Sequence, residues 1–112
     1  MPERGELLLV PFPFSDLSAS KRRPVLALTA ADRFGDFIAL PVTSRMQIDN
    51  ALPVTVDDLI NGALPVTSWI RTNRIVTLNV SLVVKVMARV SEKLVATAAR
   101  QVCDYICSSH NA

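Results

Sequence analysis

A chain of 112 residues, half apolar, a fifth charged and with a net charge of only +2, has the size and composition of one folded domain spanning 1–112. Disorder is excluded by that composition, a membrane helix by the lack of any apolar run near the ~20 residues needed, and a disulfide scaffold is not implied by two cysteines so close together. Aromatics make up 5%, so Val, Leu, Ile and Ala must supply the core, which leans towards strands.

In chain order, GELLLVPF (5–12) reads as a first strand. Its prolines, and the absence of a basic leader or small-residue cleavage site, argue against a signal peptide and for a cytoplasmic protein. FSDLSAS (14–20) has loop composition. RPVLALTA (23–30) is a second strand, with Pro24 tolerable at its start. ADRFGD makes a turn into FIALPVTS (37–44), the third strand, and ALPVTV (51–56) is a short fourth. DDLING (57–62) reads as a single helical turn closed by Gly62. ALPVTSWIRTN and RIVTL continue as strands or one bent strand, and LVVKVMARV (82–90) alternates with period two.

The period then changes. Ser91 is a good N-cap with Glu92 in the first turn, and Leu94, Val95, Ala98, Val102, Tyr105 and Ile106 fall at helical spacing. Several short strands followed by one helix predict a mainly β fold: a small, strongly curved antiparallel sheet or partial, SH3-like barrel with the helix packed on it.

The peptide ALPVT occurs at 39–43, 51–55 and 63–67. A repeat architecture needs self-similarity over 20 residues or more, and here the residues after each copy differ: SRMQIDN, VDDLING and SWIRTNR. The copies must therefore be told apart by context.

Charge is unevenly spread. From Arg71 to Arg100 six basic residues face one acid, Glu92, and Lys21-Arg22-Arg23 forms a second basic cluster, which permits a polyanionic partner. Cys103, Cys107 and His110 could share a helix face, but three soft ligands without a fourth at a chain end do not make a metal site, and neither metal nor cofactor is expected.

ERGELLLVPFPF, a short polar loop, KRRPVLAL and a strand ending in PVTS together resemble the MazF/PemK/Kid family of toxin endoribonucleases. The likeness continues through SWIRTNRIVTLNVSLVVKVMARVSEKLV and covers roughly residues 3 to 95. It implies a CcdB–MazF-type barrel with a C-terminal helix, a homodimer, metal-independent cutting of single-stranded RNA, and silencing by an antitoxin with a flexible acidic segment. In the family the arginine of the RP motif and the threonine closing the third strand are catalytic, which here are Arg23 and Thr43. The first ALPVT copy would then hold the chemistry, with Thr55 and Thr67 structural look-alikes. Several members carry an acidic residue where this chain has Asn73, and some a histidine or glutamate in the first loop, where it has Ser15, Asp16 and Ser18.

These residue types suit the reaction. Cleavage by the 2′-hydroxyl needs the attack aligned, transition-state charge offset and two protons moved. A guanidinium grips two phosphate oxygens and stays charged, and a strand threonine offers a hydroxyl on a stiff stem. Asp16 is the candidate for proton transfer, with a turn role as its alternative. Lys21, Arg22, Ser44, Arg71, Asn73 and Arg74 are candidates for lining an RNA groove, although solvated surface charge explains the basic ones equally well. Trp69 could stack a base, but as a lone tryptophan it is assigned to the core. Two alternatives share the fold: a CcdB-like gyrase inhibitor, whose tryptophan-bearing C-terminus the ending YICSSHNA lacks, and a non-catalytic barrel that binds a peptide at a sheet edge.

Overall fold

The computed structural model describes residues 2–11 and 21–108. Asp16 and His110, both singled out above, lie outside the described residues. The elements are β1 (Glu6–Pro11), β2 (Arg22–Ala27), β3 (Asp36–Thr43), β4 (Ala51–Val54), β5 (Leu59–Gly62), β6 (Ser68–Arg71), β7 (Val76–Asn79), β8 (Lys85–Val90) and α1 (Glu92–Ser108). Short 3₁₀ turns at Val56–Asp58 and Val80–Leu82 lead into β5 and follow β7.

Every described strand pairing is antiparallel, in the order β4-β6-β3-β2-β1-β8-β5, with β7 also on β3. The long strand β3 is shared: β7 pairs with its first half, Asp36 to Ala39, and β6 with its end, Val42 and Thr43. Strands recruited to the same edge at different heights curl the sheet into a half-barrel.

Alternation along the strands gives the sheet two apolar faces. One face, with Leu7, Leu26, Leu40, Val42 and Ile70, meets Leu94, Val95, Ala98 and Val102 of α1 in a single cluster. The other, with Leu8, Val10, Val25, Ala27, Phe37 and Ala39, closes on Val76, Leu78, Val80 and Val83. Tyr105 and Ile106, predicted on the helix's apolar stripe, are 40% and 55% exposed because the last turn runs beyond the residues it packs on.

The N-terminal pair Arg4-Gly5 anchors the helix. Ser91 Oγ accepts the Leu94 amide at 3.2 Å, capping α1, and Glu92 in its first turn meets the Arg4 guanidinium at 2.7 Å. Arg4 Nη1 also donates to the Leu28 carbonyl at 3.1 Å. Gly5, at φ +93, donates to the Ala27 carbonyl and accepts from the Val90 amide, a backbone crossing that a side chain would strain.

Three predicted elements differ. DDLING is not a helical turn: Val56–Asp58 is 3₁₀, and Leu59–Gly62 is strand β5 paired with β8. Gly62 at φ +77 lies so close that a Cβ would collide with the Met87 carbonyl and the Ala88 backbone, so it serves strand contact rather than helix termination. The predicted strand from 63 begins only at Ser68, leaving the third ALPVT copy in a loop. In 82–90 the strand starts at Lys85, and a bulge breaks the alternation. Leu7 pairs with Ala88 but Leu8 with Val86, so Met87 is the extra residue. Ala88 and Val90 therefore join the helix-covered cluster, while Val86 lines a rim with Leu8, Val80 and Val83 and is 52% exposed.

Candidate active site

Where the second cluster ends, the same sheet face opens to solvent and turns polar. Arg23 stands two residues before buried Val25 on β2, and Thr43 two residues after Pro41 on β3. Val25 and Pro41 are direct partners across the two strands, and alternation sends Arg23 and Thr43 out of that shared face. Arg23 is itself paired with Val10 of β1. The guanidinium thus emerges at the border of the apolar cluster, exposed, while Thr43 is half-buried beside it in the sheet.

Thr43 closes β3, and its hydroxyl accepts the Arg45 amide at 3.1 Å. That bond uses one lone pair and leaves the hydroxyl proton to be donated elsewhere. It also fixes the first residues after the strand as a tight local turn, the competition with regular structure that threonine side chains offer. Among the described residues Arg23 and Arg71 have no carboxylate partner; the ion pairs are Arg4–Glu92 and Arg89–Glu3, which involve no residue of this face.

Strand β6 extends the face. Trp69 pairs directly with Thr43, and beyond it with Pro53 on β4. Its neighbours Ser68 and Ile70 are buried at 3% and 0%, so Trp69 and Arg71 point to the opposite side, that of Thr43. Trp69 is half-buried and belongs to neither apolar cluster, which corrects its assignment to the core. The signal was present in the alternation S-W-I-R, but the rarity of tryptophan outweighed it. Arg45, adjoining Thr43 and exposed, is a basic residue that no sequence signal singled out inside the run TSR.

The remaining candidates are distributed around this row. Lys21 is exposed immediately before β2, and Ser44 is exposed immediately after Thr43. Arg22, adjacent to Arg23 on the strand, leaves the other face. Asn73 and Arg74 lie just past β6 in a turn where the Arg74 amide donates to the Arg71 carbonyl at 3.4 Å. The Asn73 Oδ1 is buried without a hydrogen-bond partner, an orphaned acceptor of a kind that is rare in native folds.

A cavity of about 420 Å³ lies elsewhere, between the end of α1 and β4, lined by Asn50, Thr72, Gln101 and Tyr105 among others, and none of the candidate residues lines it. Cys103 and Cys107 are free, exposed thiols on α1. Among the described residues no three His, Cys, Asp or Glu side chains gather as a metal ion would require, and no helix is long and apolar enough to cross a membrane.

The comparisons with known proteins agree on the fold. The MazE–MazF complex from Deinococcus radiodurans superposes with a TM-score of 0.73 at 20% identity, over 94% of each chain. An endoribonuclease in complex with its cognate antitoxin, from a mycobacterial species, gives 0.71 at 15% identity over 96% of each chain. The Mycobacterium tuberculosis toxin MazF-mt6 gives 0.68 at 15% identity, over 91% of this chain and 96% of that one. No curated protein is a significant sequence match to the chain. The PemK-like, MazF-like toxins of type II toxin–antitoxin systems match residues 3–106. With its curled half-barrel and single C-terminal helix, the chain is a member of that toxin family.

Proposed function

We propose that the protein is a metal-independent endoribonuclease that cuts single-stranded RNA at selected sequences, and so arrests translation and growth. In this reaction a ribose 2′-hydroxyl attacks the adjacent phosphorus and the P–O5′ bond breaks, leaving a 2′,3′-cyclic phosphate and a 5′-hydroxyl. Arg23 offsets the charge that builds on the non-bridging oxygens, and the Thr43 hydroxyl donates a further hydrogen bond to them. Asp16 is the candidate for proton transfer, and Lys21, Ser44, Arg71, Asn73 and Arg74 hold the strand, while Arg22, which leaves the opposite face of β2, is not part of this groove. The observation that carries this reading is that Arg23 and Thr43 leave one sheet face, on paired strands, at the accessible end of an apolar cluster.

The cytoplasmic partner is an antitoxin whose acidic segment orders over the basic face, in keeping with the antitoxin complexes formed by the structural relatives. The working unit is a symmetric homodimer. Leu82, Val84 and Val86, exposed by 39%, 43% and 52%, form an apolar stretch that a second copy would cover. A monomeric mass at micromolar concentration would count against it.

The test is incubation of the protein with a mixed RNA pool in EDTA, beside Arg23→Ala. Chelator-resistant cuts bearing 5′-hydroxyl ends, slowed by about 10²–10³ in the variant, are expected. Intact RNA with the wild-type protein would refute the nuclease reading, and stalled gyrase–DNA complexes in its place would indicate the gyrase inhibitor.

A further inference from the structure

We infer that Trp69 is a stacking platform for the base next to the scissile phosphate, and so a positioning and specificity-determining residue; this rests on the nuclease reading above. Three observations carry it. Trp69 is the direct cross-strand partner of Thr43, so the two side chains rise from the sheet about 5 Å apart at their Cβ atoms. It lies on the face of Arg23, with Arg71 two residues along the same strand. Being half-buried and outside both apolar clusters, it keeps part of its surface open to solvent, with Pro53 as its partner on the neighbouring strand.

A core role does not explain this placement. Ser68 and Ile70 already occupy the helix-covered face at this point of β6, and on the opposite face Trp69 stands between Thr43 and Pro53 with Arg71 two residues along, beyond the end of the second apolar cluster. What a rigid aromatic plane beside an arginine and a hydroxyl does well is bind a nucleotide. The base stacks on the ring while its phosphate meets the cation, a combination that single-strand binders use repeatedly. Stacking tolerates any base but strengthens with the area of the ring, so Trp69 biases the site towards a purine at the stacked position. Arg71, on the same side, supplies charge to the next phosphate.

Trp69 is the chain's single tryptophan, which makes the test direct. Oligonucleotides with every ribose 2′-O-methylated bind without being cut, because the attacking hydroxyl is blocked. Titrating wild-type protein with such decamers of A, U or C should quench the tryptophan emission saturably, most deeply for A. By anisotropy with a labelled decamer, Trp69→Ala should bind roughly tenfold more weakly and Trp69→Phe nearly as well as wild type, in line with the usual loss per stacked base. The cleavage pattern of Trp69→Ala on the RNA pool should also shift, with weaker purine preference beside the cut. Should Trp69→Ala not fold, Trp69→Leu against Trp69→Phe serves the same comparison, a difference in affinity supporting the platform and equal affinity overturning it. Wild-type protein that cuts the pool while its emission stays unchanged at saturation would overturn the platform alone. Wild-type protein that neither cuts nor binds RNA would overturn the platform together with the nuclease reading.

Discussion

The peptide ALPVT at 39–43 and its copy at 51–55 have the same side chains and different lives. The first lies inside the sheet, between β2 on one side and β6 and β7 on the other, with Leu40 fully buried and Val42 3% exposed. The second is β4, which among the described strands is an edge strand paired only with β6, where Leu52 is half-buried although Val54 is 4% exposed. Their threonines differ most. Thr55 donates its hydroxyl to the Asp58 carboxylate at 2.9 Å while its amide binds the same oxygen at 2.8 Å, clasping the adjoining 3₁₀ turn. Thr43 receives the Arg45 amide and looks across the sheet to Arg23 and Trp69. Neighbouring strands, not the five letters, assign the role.

Substitutions at matching positions measure that difference. The largest effect is expected at Leu40, where truncation to alanine should cost about 2–5 kcal/mol, against less than about 2 kcal/mol for Leu52→Ala. Denaturant midpoints read both, and equal losses would break the contrast. Next, Thr43→Ala should slow RNA cleavage by about 10² or more with little change in melting temperature, whereas Thr55→Ala should cut at the wild-type rate. A comparable loss of rate in both would return Thr43 to the ranks of ordinary strand threonines. Thr55→Ala should instead cost about 1 kcal/mol of stability through the lost cap.

The smallest effect concerns pH and lies far from either copy. A hydrogen bond from the Arg4 guanidinium, aided by its charge, holds the Glu92 carboxyl below the ordinary glutamate range. A depressed native pKa means that the pair stabilises fully above the unfolded value of about 4.3 and that its contribution fades as pH falls through the lower native value. Glu92 is exposed, so Glu92→Gln should lower stability only slightly at neutral pH and converge with wild type in acid. Thermal melts between about pH 7 and pH 3 test this, and a gap that widens on acidification would contradict it.

Much of this arrangement could be read before any coordinates. Strands β1, β2 and β3 and the capped helix come from alternation, prolines at strand starts and the Ser91-Glu92 signal, all of them local. β5 was hidden because Leu59 to Gly62 has no strand period of its own; pairing with β8 and a close approach at Gly62 make it a strand. The loop at 63–67 is hidden for the opposite reason, since its composition matches β4 while no described strand pairs with it. For the site, motif order singled out Arg23 and Thr43. Their common face depends on the register Val25 to Pro41, a fact about two strands that neither one states. Trp69 was assigned to the core by its residue type, and only its pairing with Thr43 reveals its company.

The extra residue at Met87 has a bearing on how this gene can vary. Losing Met87 itself would only straighten the strand, leaving Leu7 opposite Ala88 and Leu8 opposite Val86, whereas a residue gained or lost between Ala88 and Val90 would turn Val90 away from the helix-covered cluster. Small insertions and deletions should accordingly be tolerated at the bulge and purged from the regular pairing beside it in living lineages, while accumulating between β5 and β6, where no described strand keeps count.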